Sequence, residues 1–317
     1  MPASPFPTRP FRFGVQLSAP TDARSWVDTA RRIESLGYSV ATMPDHFTEQ
    51  FAPMPALQAI LDATTTLRAG ALVFDNDYKH PAILAKELAT MDVLSEGRVE
   101  IGLGAGWMIS DYEQLGLPYD RPGVRIDRFA EGLAVIRGAM GAVPFTFRGE
   151  HYSVTDYDGT PKPVQSPCPP ILIGGGGPRV LGIAAREADI VGVNGTLDAG
   201  VFGPDAFATM TAEAVEAKMA IVAEQAGERL ADIELNIRTF FNAVTDDRAG
   251  RIERIARALS IDETMLEGSP YALIGSTARI VEDLVQLRER YGFSYVIVGA
   301  AEIDSFAPVV AELAGKY

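Results

Sequence analysis

Four consecutive glycines, Gly174, Gly175, Gly176 and Gly177, stand between the apolar run 171–173 and Pro178. The apolar run reads as a buried strand and Pro178 as the first turn of a helix. Glycine lets the backbone approach a ligand closely and tolerates positive φ. A helix start adds free N–H groups and the positive end of the helix dipole. Strand, glycine turn and helix therefore read as a phosphate cradle, since a plain strand-to-helix turn needs fewer glycines. No Gly-Lys-Ser/Thr follows, which excludes a nucleotide-binding P-loop. The glycines are also consecutive and mid-chain, unlike the spaced glycines of a dinucleotide fold.

Three other segments could carry chemistry. Met43-Pro44-Asp45-His46-Phe47 places a histidine beside a carboxylate, able to serve as acid, base or hydrogen-bond donor, or simply to bond loop backbone. The stretch 74–81 holds Asp75, Asn76, Asp77 and His80; these could bond a ligand, and equally could turn the chain and cap a helix starting at Pro81. In Gly102-Leu103-Gly104-Ala105-Gly106-Trp107 the glycines would let a flat ligand lie against backbone, with Trp107 as a pocket wall or a cover for the rim. Tyr152 and Tyr157 read as packing residues.

The elements that must position these residues alternate. Strands are expected at 11–17, 39–43, 68–74, 99–103, 171–173, 190–193, 234–244 and 295–298. Helices are expected at 55–65, 81–94, 124–140, 180–188, 205–226, 277–291 and 305–313, with another after Asp22 that turns Trp26, Ala30 and Ile33 inward. Short, wholly apolar strands suit a sheet covered on both faces. Eight strand–helix units in this length predict an α/β fold, a (β/α)8 TIM barrel, as one domain over 1–317 with insertions near 106–122 and 141–170. The second insertion carries a hairpin-like segment around Gly149. All the chemical segments then fall in the loops after the strands, where a barrel keeps its active site.

The net charge of −14 argues against nucleic acid and anionic membranes as partners. No apolar stretch approaches the ~20 residues that span a bilayer. The first ten residues are proline-rich and lack the apolar core of a signal peptide. Cys168 is the only cysteine, and His46, His80 and His151 show no metal-ligand spacing. The expectation is a cytoplasmic protein with no metal and a small-molecule substrate.

Taken in order, these pieces resemble the luciferase-like monooxygenase superfamily, and especially its coenzyme F420 (deazaflavin)-dependent oxidoreductases. The resemblance is carried by Met43 to Phe47, His80-Pro81 through Lys86, Thr90-Met91-Asp92 through Gly97-Arg98, Gly102 to Trp107, and the proline-rich lead from Pro161 to Pro170 into the glycine run. It covers roughly residues 11–195 and weakens in the last third. It implies a homodimeric (β/α)8 barrel that binds a deazaflavin, or alternatively FMN, in its mouth. Gly174, Gly175, Gly176 and Gly177 would meet the cofactor phosphate. Asp45 and His46 would lie near the ring, and Ala105, Gly106 and Trp107 would line its edge. Ala71, Leu72 and Val73 would support its back, with a non-prolyl cis peptide or a bulge.

His46 is the expected catalytic group. Sugar-phosphate dehydrogenases of this branch carry an acid after the fourth-strand glycines and a tryptophan four residues after the histidine. Trp107 and Gln50 stand there instead. The expected activity is hydride transfer between the deazaflavin C5 and a small organic substrate. An FMN-dependent luciferase-like monooxygenase is the alternative, and a flavin- or deazaflavin-binding barrel without turnover is the alternative of another class. A barrel aldolase would need a Schiff-base lysine at a strand end, whereas Lys79 and Lys86 fall in the following loop and helix.

Overall fold

A computed structural model describes residues 4–19, 22–197 and 200–317. Eight parallel strands form its centre: β1 Arg12–Gln16, β2 Val40–Met43, β3 Arg68–Ala71, β4 Val99–Gly104, β5 Ile171–Gly175, β6 Ile190–Val193, β7 Glu234–Arg238 and β8 Phe293–Gly299. They hydrogen-bond in chain order, and β8 closes on β1 with Ile297 opposite Gly14. This is the expected (β/α)8 barrel. Every residue of β2, β4, β6 and β8 is buried, as double coverage requires.

The apolar residues separate into two layers. Val40, Leu172, Ile190, Tyr295 and Ile297 pack together inside the barrel, with Leu72 and Val73 against them. A larger cluster fills the space between strands and helices. The helices that cover the strands are α1 Ala23–Ser35, α2 Pro53–Ala63, α3 Pro81–Leu94, α4 Pro122–Met140, α5 Pro178–Glu187, α6 Ala212–Ala226, α7 Thr277–Tyr291 and α8 Ala307–Leu313. Asp22 caps α1, accepting from the N–H groups of Arg24 and Ser25, and Trp26, Ala30 and Ile33 face inward. No helix among the described residues is long and apolar enough to cross a membrane.

Several expected elements divide. The strand at 68–74 ends at Ala71; the Leu72–Val73 peptide is cis, and pairing resumes with Phe74 opposite Leu103. The strand at 234–244 leaves the barrel after Arg238, whose ladder with β8 ends as Thr239 donates its N–H to Ile297 O. Phe241–Val244 then pairs with Ala272–Gly275, a strand the apolar pattern had not marked, and the helix Arg248–Leu259 lies between the two. No Gly or Pro between Arg238 and Val244 marks that departure. The helix at 205–226 is two pieces, because Thr211 caps α6 by accepting from Ala214 N. The insertion near 106–122 holds the short helix Ile109–Leu115, ended by left-handed Gly116. The second insertion contains the expected hairpin, Phe145–Arg148 against Ser153–Tyr157.

Candidate active site

A cavity of about 500 Å³ opens at the C-terminal mouth of the barrel. Gly174 and Gly175 end β5, and Gly177 is the N-cap of α5. A side chain at Gly176 would place its Cβ 2.3 Å from Gly195 O, so only glycine fits between the two loops. Gly177 differs: a Cβ there meets nothing within 4 Å. No side chain caps α5, which leaves its first-turn N–H groups for an anion in the open space beside them.

The glycines of β4 also serve a packing purpose. A Cβ on Gly102 would come 1.9 Å from Ala71 O, and one on Gly104 would come 2.5 Å from Val73 Cγ2. They admit the neighbouring strand's irregular end, and Gly104 also lines the cavity. Leu72, Val73, Ala105, Gly106 and Trp107 do line the cavity, while Ala71 lies in the buried core behind it. Gln16, at the end of β1, donates from Nε2 to Leu72 O at 3.2 Å and so steadies that wall.

His46 follows β2 and lines the cavity beside Trp107, the two rings perpendicular with centroids 5.4 Å apart. Its Nδ1 lies 2.7 Å from Asp111 Oδ2. Asp111 is nearly inaccessible and also accepts from Phe47 N at 3.2 Å and Tyr78 Oη at 3.0 Å. With Asp111 ionised, Nδ1 carries a proton and Nε2 is left for the cavity. The sequence reading missed Asp111. Its signal was an acid in the first turn of a short helix, inside a segment taken as irregular. Trp107 lines the cavity beside His46, and Gln50 spends its amide on Pro44 O.

Two further carboxylates line the cavity. Asp45 Oδ2 accepts from Asp75 N at 3.3 Å. The Asp75 carboxylate accepts from Asp77 N at 2.9 Å and from the buried Tyr112 hydroxyl at 3.1 Å. Burial pushes Asp45 up to about 6 and Asp75 up to about 7, against ordinary values of 3.8. Proton-holding groups at the mouth are therefore not confined to His46.

The remaining candidates in 74–81 and beyond are structural. Asp77 is clamped by Arg128 through contacts of 2.7 and 2.8 Å. His80 caps α3, accepting from Ala82 N. Tyr152 accepts from Asn76 Nδ2 and packs edge-on against His80. No group of three or more His, Cys, Asp or Glu residues among the described residues could hold a metal ion.

Comparison with known proteins decides the family. Residues 8–280 match the pattern of luciferase-like monooxygenases. The chain belongs to the luciferase-like monooxygenase family. Within it, the chain is 29% identical over 199 residues to the FMNH2-dependent dimethylsulfone monooxygenase of Pseudomonas putida, covering 59% of this chain and 54% of that enzyme. It is also 29% identical over 177 residues to the F420-dependent glucose-6-phosphate dehydrogenase of Amycolatopsis mediterranei, 52% of each. The chain thus spans about half the length of these relatives. The F420-dependent tetrahydromethanopterin reductase of Methanopyrus kandleri superposes with a TM-score of 0.77 at 20% identity, over 96% of this chain and 100% of that one, which establishes the shared barrel of this luciferase-like protein.

Proposed function

We propose that this luciferase-like protein is a coenzyme F420-dependent oxidoreductase acting on a small organic substrate with an activated C=C, C=N or C–OH group. The observation that carries the reading is His46, pinned at Nδ1 by buried Asp111 at the rim of a cavity whose other side is an uncapped, glycine-opened helix start. A phosphate-bearing flat cofactor suits that combination: the anion would take the first turn of α5 beside Gly177, and the ring would lie against Leu72 and Val73. When bound, the deazaflavin supplies a carbon, C5, that accepts or donates hydride.

The chain's own residues have three tasks. Gly174, Gly175, Gly176 and Gly177 bind and orient. Trp107, Ala105 and Gly106 exclude water from the ring edge. His46 Nε2 takes the hydroxyl proton when a C–OH carbon loses hydride, or returns a proton to the reduced double bond; Asp111 stabilises the imidazolium that forms meanwhile. Asp45 lies close enough in the same wall to tune that exchange. The same reading takes residues 1–317 as one barrel domain, cytoplasmic and homodimeric.

The similarity to a dimethylsulfone monooxygenase favours a second reading, an FMN-dependent monooxygenase. Parallel equilibrium titrations with F420 and FMN test the choice. F420 is expected to bind at least about tenfold more tightly, or about 1.4 kcal/mol; tighter FMN binding would transfer the assignment to the second reading. Retained cofactor with no substrate-dependent redox change would indicate a binding protein. With Trp107 in place of an acid, glucose 6-phosphate is not expected to be oxidised.

A further inference from the structure

Arg238 ends β7 and faces the cavity. In a ring of eight strands β7 lies across from β3, so Arg238 stands opposite the Leu72–Val73 wall. A flat group lying on that wall would turn its free face toward Arg238. Gln16 joins the two across the floor: its Oε1 accepts from Arg238 Nε at 2.8 Å and its Nε2 donates to Leu72 O.

The guanidinium is otherwise unmatched. Its Nη1 is buried with no hydrogen-bond partner. Among the described residues no carboxylate reaches ion-pair distance; the charge of Glu302 acts on it only from further away. Burial pushes Arg238 down to about 10, which leaves it charged at neutral pH. Phe240 lies 5.0 Å from it, ring centroid to guanidinium carbon. Arg125 also lines the cavity, yet its terminal nitrogens are bound to the carbonyls of Asp120 and Gly106. A largely buried cation bonded to a neutral amide, with its nearest carboxylate, Glu302, beyond ion-pair distance, is costly unless an anion completes it. The cavity-lining neighbours Gln16, Asn236 and Phe240 are neutral, and Glu302 shares the space beside Gly299 with Arg238 Nη2, so no more than a single negative charge is called for.

We propose that Arg238 recognises an oxyanion on the substrate, which makes the substrate a small monoanionic organic acid of the carboxylate or sulfonate class. This rests on the reading of the cavity as a cofactor and substrate site. A guanidinium donates its N–H to an acid oxygen and meets its charge, while a neutral amide of the same shape would leave the cation uncompensated.

Calorimetric titration of the whole protein, with and without bound cofactor, tests it. The probes are acetate, benzoate and methanesulfonate, each paired with acetamide, benzamide or methanesulfonamide. At least one acid is expected to bind about tenfold or more tightly than its amide. Arg238→Met should abolish that preference while cofactor affinity and the unfolding midpoint hold, and Arg238→Lys should restore part of it. Arg238→Gln, which keeps a donor for Gln16, repeats the measurement should the Met variant fold poorly. Equal binding of every acid and amide, or an undiminished preference without Arg238, would overturn the proposal. So would a parallel loss of cofactor affinity in the Met variant, which would assign Arg238 to the cofactor. If neither F420 nor FMN binds, the proposed function fails, and the acid–amide contrast in cofactor-free protein still decides the role of Arg238.

Discussion

The two ends of the barrel bury charge in opposite ways. At the bottom, where the strands begin, Arg12 contacts Glu100 and Glu234, each at 2.6 Å, and Arg68 reaches Glu100 at 2.8 Å. Tyr295 lies under the Arg12 guanidinium and donates to Glu100. Burial alone would raise the Glu100 carboxyl, but Arg12 and Arg68 outweigh it and hold it below its ordinary range. At the mouth, where the strands end, Asp45 and Asp75 are pushed up toward neutrality, and among the described residues no carboxylate reaches ion-pair distance of Arg238. Matched charge closes the bottom and belongs to the fold. At the mouth Asp111 pairs with His46 and Asp77 with Arg128, whereas Asp45, Asp75 and Arg238 have no ion partner among the described residues; in the proposed reading these are the groups left to meet cofactor and substrate.

The largest effect is expected at the bottom. Glu100→Gln removes the acid shared by two arginines and leaves Arg68 without its carboxylate, so it should cost about 3–5 kcal/mol in urea unfolding, the usual penalty for stranding half of a buried pair. A loss under about 1 kcal/mol would mean that the bottom cluster is no more structural than the mouth.

The reverse pattern is expected for His46→Ala. The side chain sits at the cavity with one protein hydrogen bond, to Asp111, so the fold should persist while turnover falls about 10²–10⁴-fold. Full activity on the true substrate, or a collapse in stability matching that of the Glu100 variant, would erase the distinction between the two ends.

The smallest effect sharpens the contrast through pH. Asp75 has its carboxyl raised by burial from 3.8 to about 7, so the folded state holds that proton more tightly than the unfolded chain. The associated stability is complete below about 4 and is lost as pH rises to about 7. Asp75→Asn, which keeps an oxygen for Tyr112 and Asp77 N, should therefore flatten the fall in unfolding midpoint across that window. Asp45, shifted in the same direction, would leave a residual slope. An unchanged midpoint-versus-pH curve would show that Asp75 is as well matched as Glu100.

Much of the architecture was legible in the chain, because hydrophobic periodicity and turn residues act over a few neighbours. The eight strand–helix units, the Asp22 cap and the uncapped helix after Gly177 are all local patterns, and all appear in the structure. So does the irregular junction at Leu72–Val73. The departure after Arg238 was not legible: residues 240–244 are as apolar as a barrel strand, and what decides their partner is the distant strand Ala272–Gly275.

The site divides along the same line. Residue type and order put Asp45, His46, Trp107 and the four glycines at strand ends, since one barrel sends every such loop to one mouth. Only the folded chain brings Asp111 under His46 across 65 residues, and only it shows that Gly102 and Gly104 make room for Ala71 and Val73. The state of a buried charge depends on which groups surround it in space, and a list of residues cannot show that a carboxylate is missing. Glu100 and Arg238 look alike in sequence as charged residues within apolar strands. Tertiary packing alone gave the first its ionic partners at the floor of the barrel and left the second at the cavity with a neutral amide and, among the described residues, no carboxylate at ion-pair distance.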